Sequence, residues 1–93
     1  MDDIFCKIIN KEISAEIVAE EEDWLAIQDI HPQAPVHVLI IPKKHLEGMS
    51  KITETEAELV GKLFVAANKV AKQLNLDQIG FRIIDNQGEH GGQ

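Results

Sequence analysis

The sequence predicts one α+β domain with a mainly antiparallel sheet, one long helix and one short helix. Its 93 residues are too few for a second core. Apolar residues make up 44% of the chain, which is enough for one core. They occur in short β-rich stretches in the first half and at helical spacing over residues 53–74 in the second half. The strands are therefore expected mainly before the long helix.

The opening segment predicts a short helix, which needs tertiary packing because it is so short. Its apolar residues at helical spacing are Ile4, Phe5, Ile8 and Ile9. Two β-rich stretches follow at residues 16–20 and 24–29, separated by the acidic connector 21–23. Because a short polar connector between strands is typical of a hairpin, we expect these two strands to pair antiparallel.

Residues 30–35 predict a rigid loop, because Pro32 and Pro35 lack backbone donors and hold their predecessors in extended geometry. Residues 37–41 are apolar without alternation after His37, which indicates a strand buried on both faces. We expect Pro42 to end this strand.

Residues 53–74 predict the long helix. Thr53, followed three residues later by Glu56, makes a capping box at its start. Lys69 and Lys72 suit the negative end of the helix dipole. The apolar stripe consists of Leu59, Leu63, Ala66, Val70 and Leu74, widened by Val60, Phe64 and Ala67.

A last strand is predicted at residues 80–85, and it leads into the glycine-rich, polar segment 86–93. A segment of this composition usually connects one element to the next. We therefore expect four strands within these residues and a fifth strand that is missing after them.

Composition excludes several classes of partner. Sixteen acidic residues against nine basic ones give a net charge of −7, whereas nucleic-acid binding needs a basic face. The longest apolar run, residues 38–41, is far too short for a membrane span. A single cysteine, Cys6, and a start unlike a signal peptide indicate a cytoplasmic protein without internal disulfides. Within its apolar helix, Cys6 is interpreted as packing.

The residues that could carry chemistry each have an ordinary structural interpretation as well. The four histidines, His31, His37, His45 and His90, have no metal-site spacing. A lone histidine at the start of a buried strand, such as His37, is more often a hydrogen-bonded core residue than a catalyst.

Asp29 ends a strand beside the proline loop, where a carboxylate can bind a vicinal diol such as a ribose, or can start an Asx turn. The glycines 88, 91 and 92 suit either a phosphate-binding nest or a loose end. The residues alone leave both pairs of alternatives open.

Three stretches together resemble the histidine triad (HIT) family, and within it the Hint branch of nucleotide-binding phosphoramidases. They are D-I-F-C-K-I-I at residues 3–9, D-I-H-P-Q-A-P-V-H at 29–37 continuing to I-P-K-K-H at 41–45, and N-Q-G-E-H-G-G-Q at 86–93. The resemblance covers essentially the whole chain. It implies a five-stranded antiparallel sheet and a homodimer with a continuous ten-stranded sheet.

The resemblance also implies a purine nucleotide site. Asp29 would hold the ribose hydroxyls with Ile30 beside it, and His37 would support the catalytic group. Asn86 and the backbone of Gly92 and Gln93 would face the phosphate. The residues implied to line the purine pocket are Ile4, Phe5, Ile8, Ile13 and Ile27.

One departure from the family is decisive for the chemistry. The family's H-x-H-x-H sequence, whose middle histidine attacks phosphorus, should follow Gln93 and is absent from these 93 residues. His90 stands alone before the glycines and cannot replace it. Some relatives bind zinc through a C-x-x-C near the start, but here Asp3 takes the first position and only Cys6 remains. We therefore expect a C-terminal truncation, with no metal and no cofactor.

The leading hypothesis is most of a HIT-family hydrolase. By resemblance, its intact form would cleave the P–N bond of purine nucleoside phosphoramidates through a nucleotidyl-histidine intermediate. The alternative is a catalytically inactive module that binds purine nucleotides or another protein. A third hypothesis is a misfolded or strand-swapped remnant that associates through an exposed sheet edge.

Overall fold

The computed structural model describes residues 7–8, 14–29, 32–44, 46 and 49–85. The chain divides into two compact units, Met1–Lys44 and His45–Gln93. Its described part is α+β, as predicted, with an antiparallel sheet in the first unit and one main helix in the second.

The first unit contains a three-stranded antiparallel sheet in the order β1-β2-β3. The strands are β1 (Ile17–Glu20), β2 (Trp24–Gln28) and β3 (Val38–Pro42). The predicted hairpin over the acidic connector is confirmed, because β1 pairs with β2 directly across residues 21–23. A register shift between Ile17 and Ala19 marks a bulge in β1.

The strand buried on both faces is β2, and the prediction that gave this property to residues 37–41 is wrong. Residues 24–27 of β2 are all buried, whereas Ile41 is the one buried residue of β3. The physical reason is position: β2 has a paired strand on each side, and β3 has one among the described strands. Pro42 lies inside β3 as its last residue, and the next backbone donor, the Lys43 N–H, still bonds to the Asp23 carbonyl oxygen at 3.0 Å.

One apolar cluster forms the core of the first unit. Its buried members are Ile8, Leu25, Ile27 and Ile41, with Ala15 and Leu39 packed against them. Ile8 and its neighbour Lys7 are helical, in agreement with the predicted opening helix. The other apolar residues of that predicted helix, Ile4, Phe5 and Ile9, lie outside the described residues.

The second unit is built on helix α1 (Ala57–Gln73), preceded by a one-turn 3-10 helix at Glu54–Glu56. The predicted capping box is confirmed: the Thr53 N–H donates to Glu56 Oε1 at 3.1 Å, and the Thr55 N–H donates to Thr53 Oγ1 at 3.3 Å. Beyond the helix, Asn75 has a left-handed φ of 62°, a conformation that asparagine tolerates well at helix ends. Two further 3-10 turns lie at Met49–Lys51 and Leu76–Gln78.

The predicted apolar stripe of α1 is largely correct. Ala66 and Val70 are buried, and Leu59, Leu63 and Leu74 are half-buried. Phe64 was expected to widen this stripe, but it is exposed. A step of one residue turns the helix by about 100°, so Phe64 points well away from Leu63.

The predicted strand at residues 80–85 does not form. These residues have no regular secondary structure, and none of them is buried. Phe81, Ile83 and Ile84 are exposed, as is the preceding Ile79. A strand forms only where a neighbour completes its hydrogen-bond ladder, and no described strand pairs with this segment. The described residues therefore contain three strands, not four.

No helix among the described residues is long and apolar enough to cross a membrane.

Candidate functional site

Three alternate cross-strand pairs form a row on one face of the β2–β3 ladder. Leu25 pairs with Ile41, and Ile27 pairs with Leu39. Since side chains alternate between faces, the next pair on this same face is Asp29 with His37, one residue beyond Gln28 and Val38. The row therefore changes from two apolar pairs to one polar pair where the sheet meets the proline loop.

The Asp29–His37 pair is held by both backbone and side chains. The Asp29 N–H donates to the His37 carbonyl oxygen at 3.0 Å, which continues the ladder beyond the two strands. Between the side chains, His37 Nε2 lies 3.3 Å from Asp29 Oδ2. The strands thus place an imidazole against a carboxylate at the end of the apolar row.

A backbone N–H of the proline loop determines which nitrogen of the His37 imidazole carries the proton. The Gln33 N–H donates to His37 Nδ1 at 3.1 Å. A ring nitrogen that accepts a hydrogen bond carries no proton, so in this arrangement the proton of the neutral imidazole lies on Nε2. That proton is on the nitrogen nearest to Asp29.

The polar pair is partly accessible to solvent. The side chain of His37 is 31% exposed and that of Asp29 is 18% exposed. A ligand can therefore reach the carboxylate, while partial burial reduces the competition from water. His37 is hydrogen-bonded, as its ordinary interpretation holds, but it lies at the margin of the core.

The predicted site residues are only partly within the described chain. The structure brings Ile8 and Ile27 into the same apolar cluster, and Ile27 belongs to the row that ends at the Asp29–His37 pair. Both side chains are buried. The predicted site residues outside the described ranges are Ile4, Phe5, Ile13, Ile30, Asn86, Gly92 and Gln93.

Two features of the site were absent from the sequence analysis. One is the Gln33 N–H, since a backbone donor leaves no mark on residue type. The other is the direct Asp29–His37 contact, although the positions of the two residues on either side of the loop could have indicated it. A ladder that pairs Gln28 with Val38 also pairs Asp29 with His37.

No group of three or more His, Cys, Asp and Glu side chains that could hold a metal ion occurs among the residues that the structure describes. His31, His45 and His90 lie outside this part of the chain, as does Cys6. The described residues therefore supply no zinc ligand set.

Comparison with known protein families gives a direct result. The family described as the HIT domain matches residues 10–93. The chain belongs to this family. The antiparallel sheet and the main helix of the described residues are thus those of a HIT protein.

Curated relatives from plants are similar over nearly the whole chain. A "14 kDa zinc-binding protein" of Brassica juncea is 48% identical over 94 residues, covering 99% of this chain and 82% of the relative. "Adenylylsulfatase HINT1" of Arabidopsis thaliana is 48% identical over 92 residues, covering 97% of this chain and 62% of the relative.

Solved structures agree in fold. A histidine triad protein from Clostridium difficile superposes with a TM-score of 0.92 at 43% identity, covering 100% of this chain and 84% of that one. A HIT family hydrolase from Legionella pneumophila gives a TM-score of 0.95 at 40% identity, covering 99% of this chain and 82% of that one.

Proposed function

We propose that this chain binds a purine nucleoside monophosphate, or its phosphoramidate, with the Asp29 carboxylate accepting hydrogen bonds from the ribose hydroxyls. The observation that carries the proposal is the position of Asp29. It is a partly exposed carboxylate at the end of an apolar row, which suits a ligand with one apolar and one hydroxylated part. The name of the Arabidopsis relative, an adenylylsulfatase, supports an adenylyl nucleotide.

The remaining contacts follow the family resemblance. In this proposal Ile30 lies beside Asp29 at the ribose. The residues that line the purine pocket are Ile4, Phe5, Ile8, Ile13 and Ile27. The phosphate faces Asn86 and the backbone of Gly92 and Gln93. Backbone N–H groups in a glycine-rich segment suit an anion, so a chain with a net charge of −7 needs no basic patch to hold one phosphate.

The proposed reaction is hydrolysis of a phosphoramidate in two transfers. A histidine nitrogen attacks phosphorus, the P–N bond to the amine breaks, and the amine leaves with a proton. Water then attacks phosphorus, the P–N bond to histidine breaks, and the nucleoside monophosphate is released. These 93 residues contain no H-x-H sequence, so in this proposal the nucleophile comes from a segment outside them.

The same absence favours a second function for the 93 residues themselves, which is nucleotide binding without turnover. A phosphoramidase assay distinguishes the two when it compares the chain with a version extended by an H-x-H-x-H segment. We expect turnover only in the extended version. Turnover by the 93 residues alone would show that another residue acts as the nucleophile.

Calorimetric titration with AMP tests the binding proposal. We expect saturable binding, and Asp29→Asn should weaken it roughly tenfold or more, because hydrogen bonds to a charged acceptor contribute about 1.5–3 kcal/mol. Asp77→Asn is the matched control: it makes the same charge change at an exposed position and should bind like the parent chain. Absence of AMP binding by the folded parent chain would refute the proposal.

We further propose that the protein acts in the cytoplasm as a homodimer. The dimer is supported by the exposed apolar residues of the second unit, which include Phe64, Val65 and Phe81. Light scattering during size exclusion tests it, since a chain that stays monomeric at high concentration would contradict the dimer.

A further inference from the structure

We propose that His37 is a positioning residue for the ribose-binding carboxylate: its Nε2–H orients Asp29, and the Gln33 N–H orients His37. This inference rests on the proposed nucleotide function. It assigns to His37 a part in the discrimination between ribose and deoxyribose. It assigns His37 to the sugar end of the ligand, in addition to the supporting role in the catalytic group that the family resemblance implies.

The argument begins with the direction of the contacts. The Gln33 N–H donates to Nδ1 at 3.1 Å, so the loop backbone leaves the imidazole proton on Nε2. Nε2 lies 3.3 Å from Asp29 Oδ2. A chain of two contacts therefore runs from a backbone amide of the proline loop, through the imidazole, to the carboxylate.

A hydrogen-bonding partner restricts the rotation of a carboxylate. The terminal torsion of aspartate is broad, so nothing in the side chain itself fixes the plane of the carboxylate. Two adjacent hydroxyls of a ribose require both oxygen atoms in a defined orientation. A partner that holds Oδ2 reduces the rotational freedom that is lost when the diol binds.

The backbone makes this role separable from folding. The Asp29 N–H bonds to the carbonyl oxygen of His37, so this ladder contact does not depend on the imidazole. The side chain of His37 is also 31% exposed, so its replacement leaves no closed cavity. A substitution at this position should therefore change the orientation of the carboxylate while β2 and β3 stay paired.

Two substitutions test the two contacts of the imidazole separately. In His37→Asn the amide lies near the position of Nδ1, where its oxygen can accept from the Gln33 N–H, but the side chain is too short to reach Asp29. In His37→Gln the amide nitrogen reaches the region of Nε2 and can donate to the carboxylate. The pair thus separates support of the loop from support of Asp29.

The measurement is the affinity ratio between AMP and 2′-deoxyadenosine monophosphate, determined by calorimetry for each variant of the 93-residue chain. We expect the parent chain to prefer AMP by about tenfold, because removal of a hydroxyl leaves an oriented charged acceptor without its donor. The preference should fall to about twofold in His37→Asn and in Asp29→Asn. His37→Gln should restore most of it.

The outcomes separate this inference from the function on which it rests. If the folded parent chain binds no AMP, both fail. If the parent prefers AMP and Asp29→Asn loses the preference while His37→Asn keeps it, the nucleotide function stands and the positioning role is overturned. Equal weakening of both nucleotides in His37→Asn, with the ratio unchanged, also overturns it, since a purely structural or phosphate-side role has that signature. Thermal unfolding of each variant establishes that the protein compared is folded.

Discussion

The β2–β3 ladder and the segment at residues 79–85 are both rich in apolar residues, but they have different structures. Both contain Ile at several positions, and both were predicted to contain a strand. In the ladder every residue from 24 to 28 has a cross-strand partner, and Leu25 and Ala26 are completely buried. In the segment, Ile79 is 82% exposed and no regular structure forms. The difference teaches that an apolar β-rich sequence becomes a strand only when a neighbour completes its hydrogen bonds.

The largest expected effect concerns the β2–β3 ladder and its contribution to the stability of the first unit. Leu25→Ala removes a completely buried side chain from the core cluster and should destabilise the unit by about 2–5 kcal/mol. Ile79→Ala is the matched control and should change stability by less than about 0.5 kcal/mol, because that side chain is largely in water. Urea unfolding followed by the fluorescence of Trp24, the single tryptophan, measures both. Equal effects would remove the distinction between the two regions.

A smaller effect concerns self-association through the exposed apolar segment at residues 79–85. Ile84→Lys places a charge in an exposed apolar stretch, and we expect it to weaken self-association about tenfold. Sedimentation over a range of concentrations measures the change. Lys51→Ile is the control: it makes the reverse substitution at an exposed position outside the stretch. It should leave the self-association unchanged. If Ile84→Lys associates as strongly as the parent chain, another surface is responsible.

The smallest expected effect concerns the capping box that precedes helix α1 in the second unit. Thr53→Ala removes the side-chain acceptor of the capping box and should cost about 1 kcal/mol of stability. Thr55→Ala changes a neighbouring exposed threonine whose role in the box is played by its backbone N–H, so it should cost less. Circular dichroism at helical wavelengths during unfolding compares the two. Equal losses would mean that the helix does not depend on its cap.

Sequence reasoning succeeded where the determining contacts are local. The hairpin over residues 21–23 and the Thr53–Glu56 box involve neighbours in the chain, so their residue types carry the information. It failed at residues 80–85, where the outcome depends on a pairing strand that local sequence does not specify. The prediction that Phe64 belongs to the apolar stripe was wrong for a related reason. Helical periodicity gives the direction of an apolar stripe more reliably than its width.

The sequence was enough to identify two residues of the candidate site, but it was not enough to predict how they contact each other. Asp29 and His37 were each identified, yet their contact depends on the register of β2 with β3, and the Gln33 donor depends on the path of the loop. The proline positions indicated a rigid loop without indicating which of its amides would point at the imidazole.

The bulge in β1 gives the sheet a preferred direction of growth. A strand that joins an existing sheet needs an evenly spaced row of donors and acceptors, and the register shift between Ile17 and Ala19 interrupts that row at one margin. At the opposite margin, β3 keeps an unbroken five-residue register with β2. Among the strands that the structure describes, β3 therefore has the more regular edge for a further strand to join, and this edge begins next to His37.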